Sequence, residues 1–256
     1  MTARHDSLAL VLDSMRFVHR LTAERSPRGT VVEQKGVLAA IVPAMPSRSV
    51  VNCVLYDEAG ELGAALEDLA RAYEEAGVHA WTVWVPEAER EAATLLEAAG
   101  HRLDAEPTAM LLELDSFEPG PETVELAPAG AEELAALNAA AYGWEVGGAA
   151  DVMAGLAAAG AHLYLVSVDG RPASCLATID HGSDCGIEWV ATAETARRRG
   201  LATALLRRAL ADARERGCET STLVATPSGR PVYERIGYRG VGALGMWERR
   251  RPEGAS

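Results

Sequence analysis

The residues most suited to chemistry in this 256-residue chain are Val190-Ala191-Thr192, followed by Arg197-Arg198-Arg199-Gly200-Leu201-Ala202-Thr203. The spacing predicts a strand that runs into a glycine-containing turn and opens a helix. The first-turn amides of a helix have no internal partner, and the helix dipole places about half a positive charge there. Gly200 and Ala202 are small enough to let a bulky anion approach the backbone, and the arginines add charge. Together they describe a pyrophosphate cradle. No GK[ST] follows, so this is not a Walker loop, and GxGxxG is absent, so it is not a dinucleotide fingerprint. In a chain this rich in Arg and Ala, a solvated basic turn is the other reading of the same residues. Cys53, Cys175, Cys185 and Cys218 stand apart, with no CxxC pair. They read as buried thiols, and no metal is expected.

The elements that must position the cradle follow from apolar periodicity and punctuation. Glu132–Tyr142 and Asp151–Ala159 read as helices, the second with Asp151 as N-cap. His162–Val168 and Ala173–Ile179 form a hairpin about Asp169-Gly170. Gly186–Thr192 is a third strand. Leu201–Arg216 is a helix stopped by Gly217, Thr220–Ala225 a strand, Pro231–Ile236 a short helix, and Tyr238–Trp247 a last extended stretch. The order is ααβββαβαβ, a mixed α/β (α+β) sheet with antiparallel hairpins and one βαβ crossover.

Phe117-Glu118-Pro119-Gly120-Pro121 interrupts any helix or central strand. It divides the chain into 1–118, a linker at 119–122, and 123–256. The first half ends like the second: helix Leu62–Ala76, strand Ala80–Val85, helix Glu87–Ala99, and an extended Thr108–Leu114. Leu95–Arg102 aligns with Val232–Arg239, each closing on glycine, an aromatic residue and arginine, with Met110 and Met246 beyond. This is either an internal repeat far longer than solenoid periods or a chance likeness of two strand–helix–strand units.

Arg197–Ala202 reads [RQ]xxGx[GA], and Tyr233–Tyr238 reads YxxxG[FY]. In that order, with a strand before each, they make residues 123–250 resemble the GNAT superfamily of acyl-CoA-dependent N-acetyltransferases. The resemblance implies a tandem GNAT-like fold whose catalytic half uses acetyl-CoA. Backbone groups of Val190, Ala191 and Thr192 would hold the pantetheine arm, and the turn from Arg197 through Thr203 the pyrophosphate. Thr226 stands where many members have a pantetheine-contacting asparagine. Tyr233 stands where the family protonates the departing thiolate; a phenol with pKa near 10 can do so only if placed against the sulfur. Glu188 stands on the strand that often carries the base, two residues before Val190 and, by strand alternation, on the same face. A structural carboxylate is its other reading. Tyr142 and Trp144 follow the first helix, where the family builds its acceptor pocket, and are equally readable as core aromatics. A backbone N–H where two strands splay would meet the oxyanion.

By the same alignment Leu96 takes the place of Tyr233, and the turn Asp57–Gly63 is acidic where Arg197–Thr203 is basic. The first half therefore reads as a degenerate, non-catalytic copy that shapes the acceptor site or supports dimerisation. The net charge of −13, from 37 acids and 24 bases, argues against sequence-independent nucleic-acid binding and allows a weak attraction for amines. With 48% hydrophobic residues but no run of bilayer length and no secretory start, the chain is expected in the cytoplasm, with no membrane partner. The expected activity is acetyl transfer from acetyl-CoA to a primary amine, on a small molecule or a protein N-terminus or lysine, by direct attack. The chain is expected to be a monomer or a homodimer. The rival readings are a catalytically inactive acetyl-CoA sensor and a two-domain interaction protein.

Overall fold

The structure is a computed structural model that describes residues 2–120 and 124–251. Pro121 and the remainder of the expected linker lie outside the described residues. In chain order the first half holds α1 (Thr2–Arg25), β1 (Thr30–Gln34), β2 (Val37–Ile41), β3 (Cys53–Leu55), α2 (Ala59–Glu75), β4 (Ala80–Pro86), α3 (Arg90–Ala98), β5 (Arg102–Ala105) and β6 (Thr108–Glu113). The second holds α4 (Ala131–Tyr142), α5 (Ala149–Ala158), β7 (His162–Val168), β8 (Arg171–His181), β9 (Asp184–Thr192), α6 (Leu201–Glu215), β10 (Thr220–Ala225), α7 (Arg230–Ile236) and β11 (Arg239–Arg250). No helix among the described residues is long and apolar enough to cross a membrane.

Two compact units form, and they do not coincide with contiguous halves. One joins the start of α1, through Ser14, to Ala109–Val241; the other joins Met15–Thr108 to the segment from Gly242 onward. In the first unit the strand order is β6-β10-β9-β8-β7. β7, β8 and β9 are antiparallel neighbours, and β9 and β10 are parallel across the α6 crossover. In the second unit the order is β1-β2-β3-β4-β11, with β5 also on β11. Its β3 and β4 are parallel across α2. Both units thus repeat one plan: an antiparallel meander, a helical crossover to a parallel strand, and a second helix. The fifth strand of each comes from the other half of the sequence. β11 pairs with β4 from Leu244↔Pro86 to Arg250↔Ala80, and residues from Ala109 in β6 belong to the first unit.

Local sequence accounts for most of these elements. Leu205, Leu206, Ala209, Leu210 and Ala213 make the buried stripe of α6, packed with Ile187, Leu223 and Tyr233. Leu62, Leu66, Leu69 and Tyr73 do the same for α2, over Val54, Val83 and Val85. Each helix stops at a left-handed glycine, Gly217 (φ 97°) and Gly77 (φ 74°). Asp169 and Gly170 both take positive φ, 51° and 73°, as a two-residue hairpin turn demands. Asp151 is not the cap of α5: that helix starts at Ala149 after Gly148, and Asp151 lies in its first turn, where it still meets the positive end of the dipole. α1 and β1–β3 have no counterpart among the elements expected from sequence. All five residues of β2 are buried, so no polar alternation marks it as a strand.

Candidate acyl-transfer site

The centre of the site is the place where β9 leaves its neighbours. Parallel pairing with β10 covers only Asp184–Gly186 against Thr220–Thr222, yet β9 continues to Thr192 and β10 to Ala225. The two strands therefore part beyond Gly186. On its other side β9 carries a bulge: Ala177 faces Glu188, but Cys175 faces Ala191, so two residues of β8 span three steps of β9. Trp189 inside the bulge has φ 54°, a strained value for a bulky side chain. Buried Asn138 on α4 fixes it, donating from Nδ2 to the Trp189 carbonyl at 3.0 Å. The Tyr142 hydroxyl donates to the Val190 carbonyl at 2.8 Å, and Ser174 Oγ to the Ala191 carbonyl at 3.2 Å.

The bulge overturns one expectation. Glu188 and Ala191 face Ala177 and Cys175, which share a core cluster beneath α4, whereas Val190 packs against the α6 cluster. Directly opposed residues of antiparallel strands point to the same face. Glu188 and Val190 are therefore on opposite faces, because the extra residue breaks the two-residue period.

Beyond β9 a 3₁₀ turn, Glu194–Ala196, leads to Arg197. Arg198 (φ 60°) and Gly200 (φ 79°) are both left-handed, one residue apart, and α6 begins at Leu201. Such alternation turns successive N–H groups into one concavity, a nest. The N–H groups of Arg198 through Thr203 find no acceptor among the described residues; the first closing bond runs from Ala204 N to Gly200 O at 3.0 Å. In the turn Arg197–Thr203, expected as a cradle, the Arg197 N–H is bonded to the Glu194 carbonyl at 3.3 Å, and the six N–H groups after it stand without acceptors among the described residues at a helix start. Arg198 and Arg199 are exposed around it. Arg197 points elsewhere: its guanidinium reaches back to the Thr192 and Ala141 carbonyls at 3.4 and 3.5 Å.

Two tyrosines near the parting strands play different parts. Tyr238 is buried and shares a 2.7 Å hydrogen bond with Ser221. Tyr233, on α7, lies edge-on to the Tyr238 ring at 5.9 Å, and its hydroxyl has no hydrogen-bond partner among the described residues. Burial, then the nearby Tyr142 and Glu188, push its pKa far above the ordinary phenol value, so it remains protonated. Glu188 is half-buried and makes no hydrogen bond or ion pair among the described residues. Desolvation raises its pKa to about 7. Thr226 is exposed and locally engaged: its hydroxyl accepts from the Gly229 N–H at 3.2 Å and shares a hydrogen bond with Ser228. Trp144 follows the left-handed Gly143 that ends α4, and its indole meets Trp189 edge-on at 6.4 Å. Asn138 and Trp189 were not singled out from sequence. A buried asparagine within the Ala/Leu stripe of α4 was the available signal for the first.

The corresponding parts of the first half lack these features. Gly100 N bonds to Glu97 O and His101 N to Leu96 O; Gly237 N bonds to Glu234 O and Tyr238 N to Tyr233 O. Leu96 and Tyr233 thus occupy the same step of the same helix ending, but Leu96 is fully buried and apolar. At the start of α2 no residue from Asp57 to Gly63 has positive φ, and the Glu61 and Leu62 N–H groups are both satisfied by the Glu58 carbonyl. Asp57 there is held by Arg16 at 2.6 Å, a compensation from α1 that the turn's own sequence does not reveal. All four cysteines are buried, and none forms a disulfide among the described residues. Among the described residues no group of three or more His, Cys, Asp or Glu could hold a metal ion.

Residues 131–238 match the model of the acetyltransferase (GNAT) family. No curated protein matches the chain. Solved structures do. A GCN5-related N-acetyltransferase from Kribbella flavida superposes with a TM-score of 0.69 at 19% identity, covering 96% of this chain and 97% of that one. A tandem GNAT protein from the clavulanic acid biosynthesis pathway gives 0.61 at 16%, covering 93% and 88%. A GCN5-related N-acetyltransferase from Sphaerobacter thermophilus gives 0.61 at 18%, covering 85% and 78%. At these identities the structures establish the fold, and the family match spans the turn Arg197–Thr203, the parted strands and Tyr233: residues 131–238 match the GNAT family within a chain that has a tandem GNAT-like fold.

Proposed function

We propose that this chain transfers an acetyl group from acetyl-CoA to a primary amine by direct attack, using a single site in its second half. The observation that carries the reading is the row of six N–H groups from Arg198 to Thr203 that have no acceptor among the described residues, next to parted strands and a tyrosine hydroxyl without a hydrogen-bond partner among the same residues. Those donors fit a pyrophosphate, and the backbone of Val190–Thr192 fits the pantetheine arm. When bound, acetyl-CoA supplies an activated thioester.

The residues divide the remaining work. Glu188 takes a proton from the incoming ammonium, directly or through water. A carboxylate with pKa near 7 is poised for that at neutral pH. A backbone N–H of the parted β9 segment faces the oxygen on which charge develops. Tyr233 keeps its proton until the thiolate leaves and then donates it. Residues 1–118 act as a non-catalytic copy of the fold, since Leu96 has no acidic proton to give and the start of α2 has no nest. Thr226, whose hydroxyl accepts from the Gly229 N–H and shares a hydrogen bond with Ser228, contributes shape at the pantetheine.

The test is calorimetric titration with CoA, followed by a thiol-release assay over an amine library with acetyl-CoA. Saturable binding with amine-dependent release is expected. Binding without release would select a CoA sensor, and no CoA binding would select an interaction protein.

A further inference from the structure

The face of β9 beneath α4 carries groups that the cofactor contacts leave unused. Glu188 starts from this face, opposite Ala177. Trp189 packs against the same cluster, and its indole meets Trp144 at 67°. Both indoles are half-buried. An edge-to-face pair leaves ring face uncovered by its partner ring, and indole faces attract cations. A half-buried carboxyl with no partner accepts an ammonium ion and repels a second anion. Asn138 holds the Trp189 carbonyl, and so fixes the strained backbone from which that indole projects. Gly143 and Trp144 are anchored by N–H bonds to the Ala139 carbonyl at 2.9 and 3.1 Å. Both aromatic groups therefore sit on a defined backbone.

We propose that Trp144, Trp189 and Glu188 select the acceptor as a compact organic ammonium with an apolar body and no carboxylate or phosphate beside the amine. The inference rests on the acetyl-transfer reading of this site and narrows its substrate class. The ammonium sits against Glu188 and the apolar body against the indoles. One ammonium proton passes to the Glu188 carboxylate, leaving a free amine. The amine lone pair forms the C–N bond to the acetyl carbon as the C–S bond breaks, and the sulfur takes the Tyr233 proton. The second nitrogen proton restores Tyr233, and Glu188 returns its proton to solvent. The products are a neutral amide and a thiol.

The probes are 2-phenylethylamine and phenylalanine, which share ring and amine and differ by a carboxylate. Each is titrated calorimetrically into CoA-saturated protein at pH 8, where Glu188 is ionised. The amine without the carboxylate is expected to bind at least tenfold tighter. Trp144→Ala, and independently Glu188→Gln, should each weaken it at least tenfold and leave CoA affinity within twofold. Equal or tighter binding of phenylalanine, no binding of 2-phenylethylamine at millimolar concentration, or unchanged affinity in both variants would overturn the proposal. Thiol release in the same mixtures reports separately on catalysis. Tight, Trp144-dependent binding without release sinks acetyl transfer and leaves the recognition standing. Release with the acidic amine alone does the reverse.

Discussion

Tyr233 is distinguished by what its hydroxyl lacks. Tyr238 is tied to Ser221, whose hydroxyl also donates to the Cys185 carbonyl, so its removal would break a buried hydrogen-bonded chain; the Tyr233 hydroxyl has no such partner among the described residues. Tyr233→Phe should therefore leave thermal stability and CoA affinity unchanged while turnover with a working amine falls roughly 10²–10⁴-fold. Turnover within twofold of the parent would reduce Tyr233 to packing. Glu188 makes a pH prediction. Its folded pKa of about 7 lies above the ordinary carboxylate value, so the folded state binds the proton more tightly than the unfolded chain does. Its contribution to stability is whole below the ordinary value and is lost as pH rises through 7. Glu188→Gln should accordingly raise the melting temperature at pH 8 and not at pH 4, and should remove an activity limb that rises with pH near 7. Equal effects on melting at both pH values would contradict the desolvated carboxyl.

At the scale of elements, the site depends on two irregularities, a nest and a bulge. A Cβ at Gly200 meets nothing within 4 Å, and aspartate tolerates left-handed φ better than most residues. Gly200→Asp should keep the fold and place a carboxylate among the donors. CoA affinity should fall at least tenfold, about 1.4 kcal/mol, and unchanged affinity by calorimetry would remove the cradle assignment. The bulge is held by Asn138, which donates to the Leu134 and Trp189 carbonyls, both at 3.0 Å. Asn138→Leu has similar volume but leaves the Trp189 carbonyl with only the Cys175 thiol at 3.8 Å, a loss of about 1–3 kcal/mol. It should lower the denaturation midpoint and weaken CoA binding together, since Val190 and Ala191 follow the bulge. Loss of stability with intact CoA affinity would show that the pantetheine contacts do not need the bulge.

The whole molecule repeats one plan twice, but among the described residues the left-handed nest precedes α6 and not α2. The first half offers Leu96 for the proton donor and an α2 start whose Glu61 and Leu62 amides are already bonded, with Glu58 and Glu61 beside it. CoA should thus saturate at one equivalent per chain, and two equivalents, or CoA protection of residues 57–63 from hydrogen exchange, would contradict the non-catalytic reading of that half.

Much of this was legible in the sequence because it is local. Stripes in α2 and α6, glycine stops, the Asp169-Gly170 turn and the paired ending Leu96–His101 and Tyr233–Tyr238 each depend on residues within a few positions of one another. The same locality made the glycine turn into α6 readable at Arg197–Thr203. Side-chain destinations were less accessible: Arg197 turns back to the Thr192 and Ala141 carbonyls, and Asp57 finds Arg16 some forty residues away. Tertiary structure alone decided the face of Glu188, because a bulge is a mismatch between two strands and has no signature in one. It also decided where the last strands go. β6 and β11 are each apolar enough to complete a sheet, and which parallel strand each one lies beside is a long-range pairing that depends on burial across the fold, not on residues adjacent in sequence.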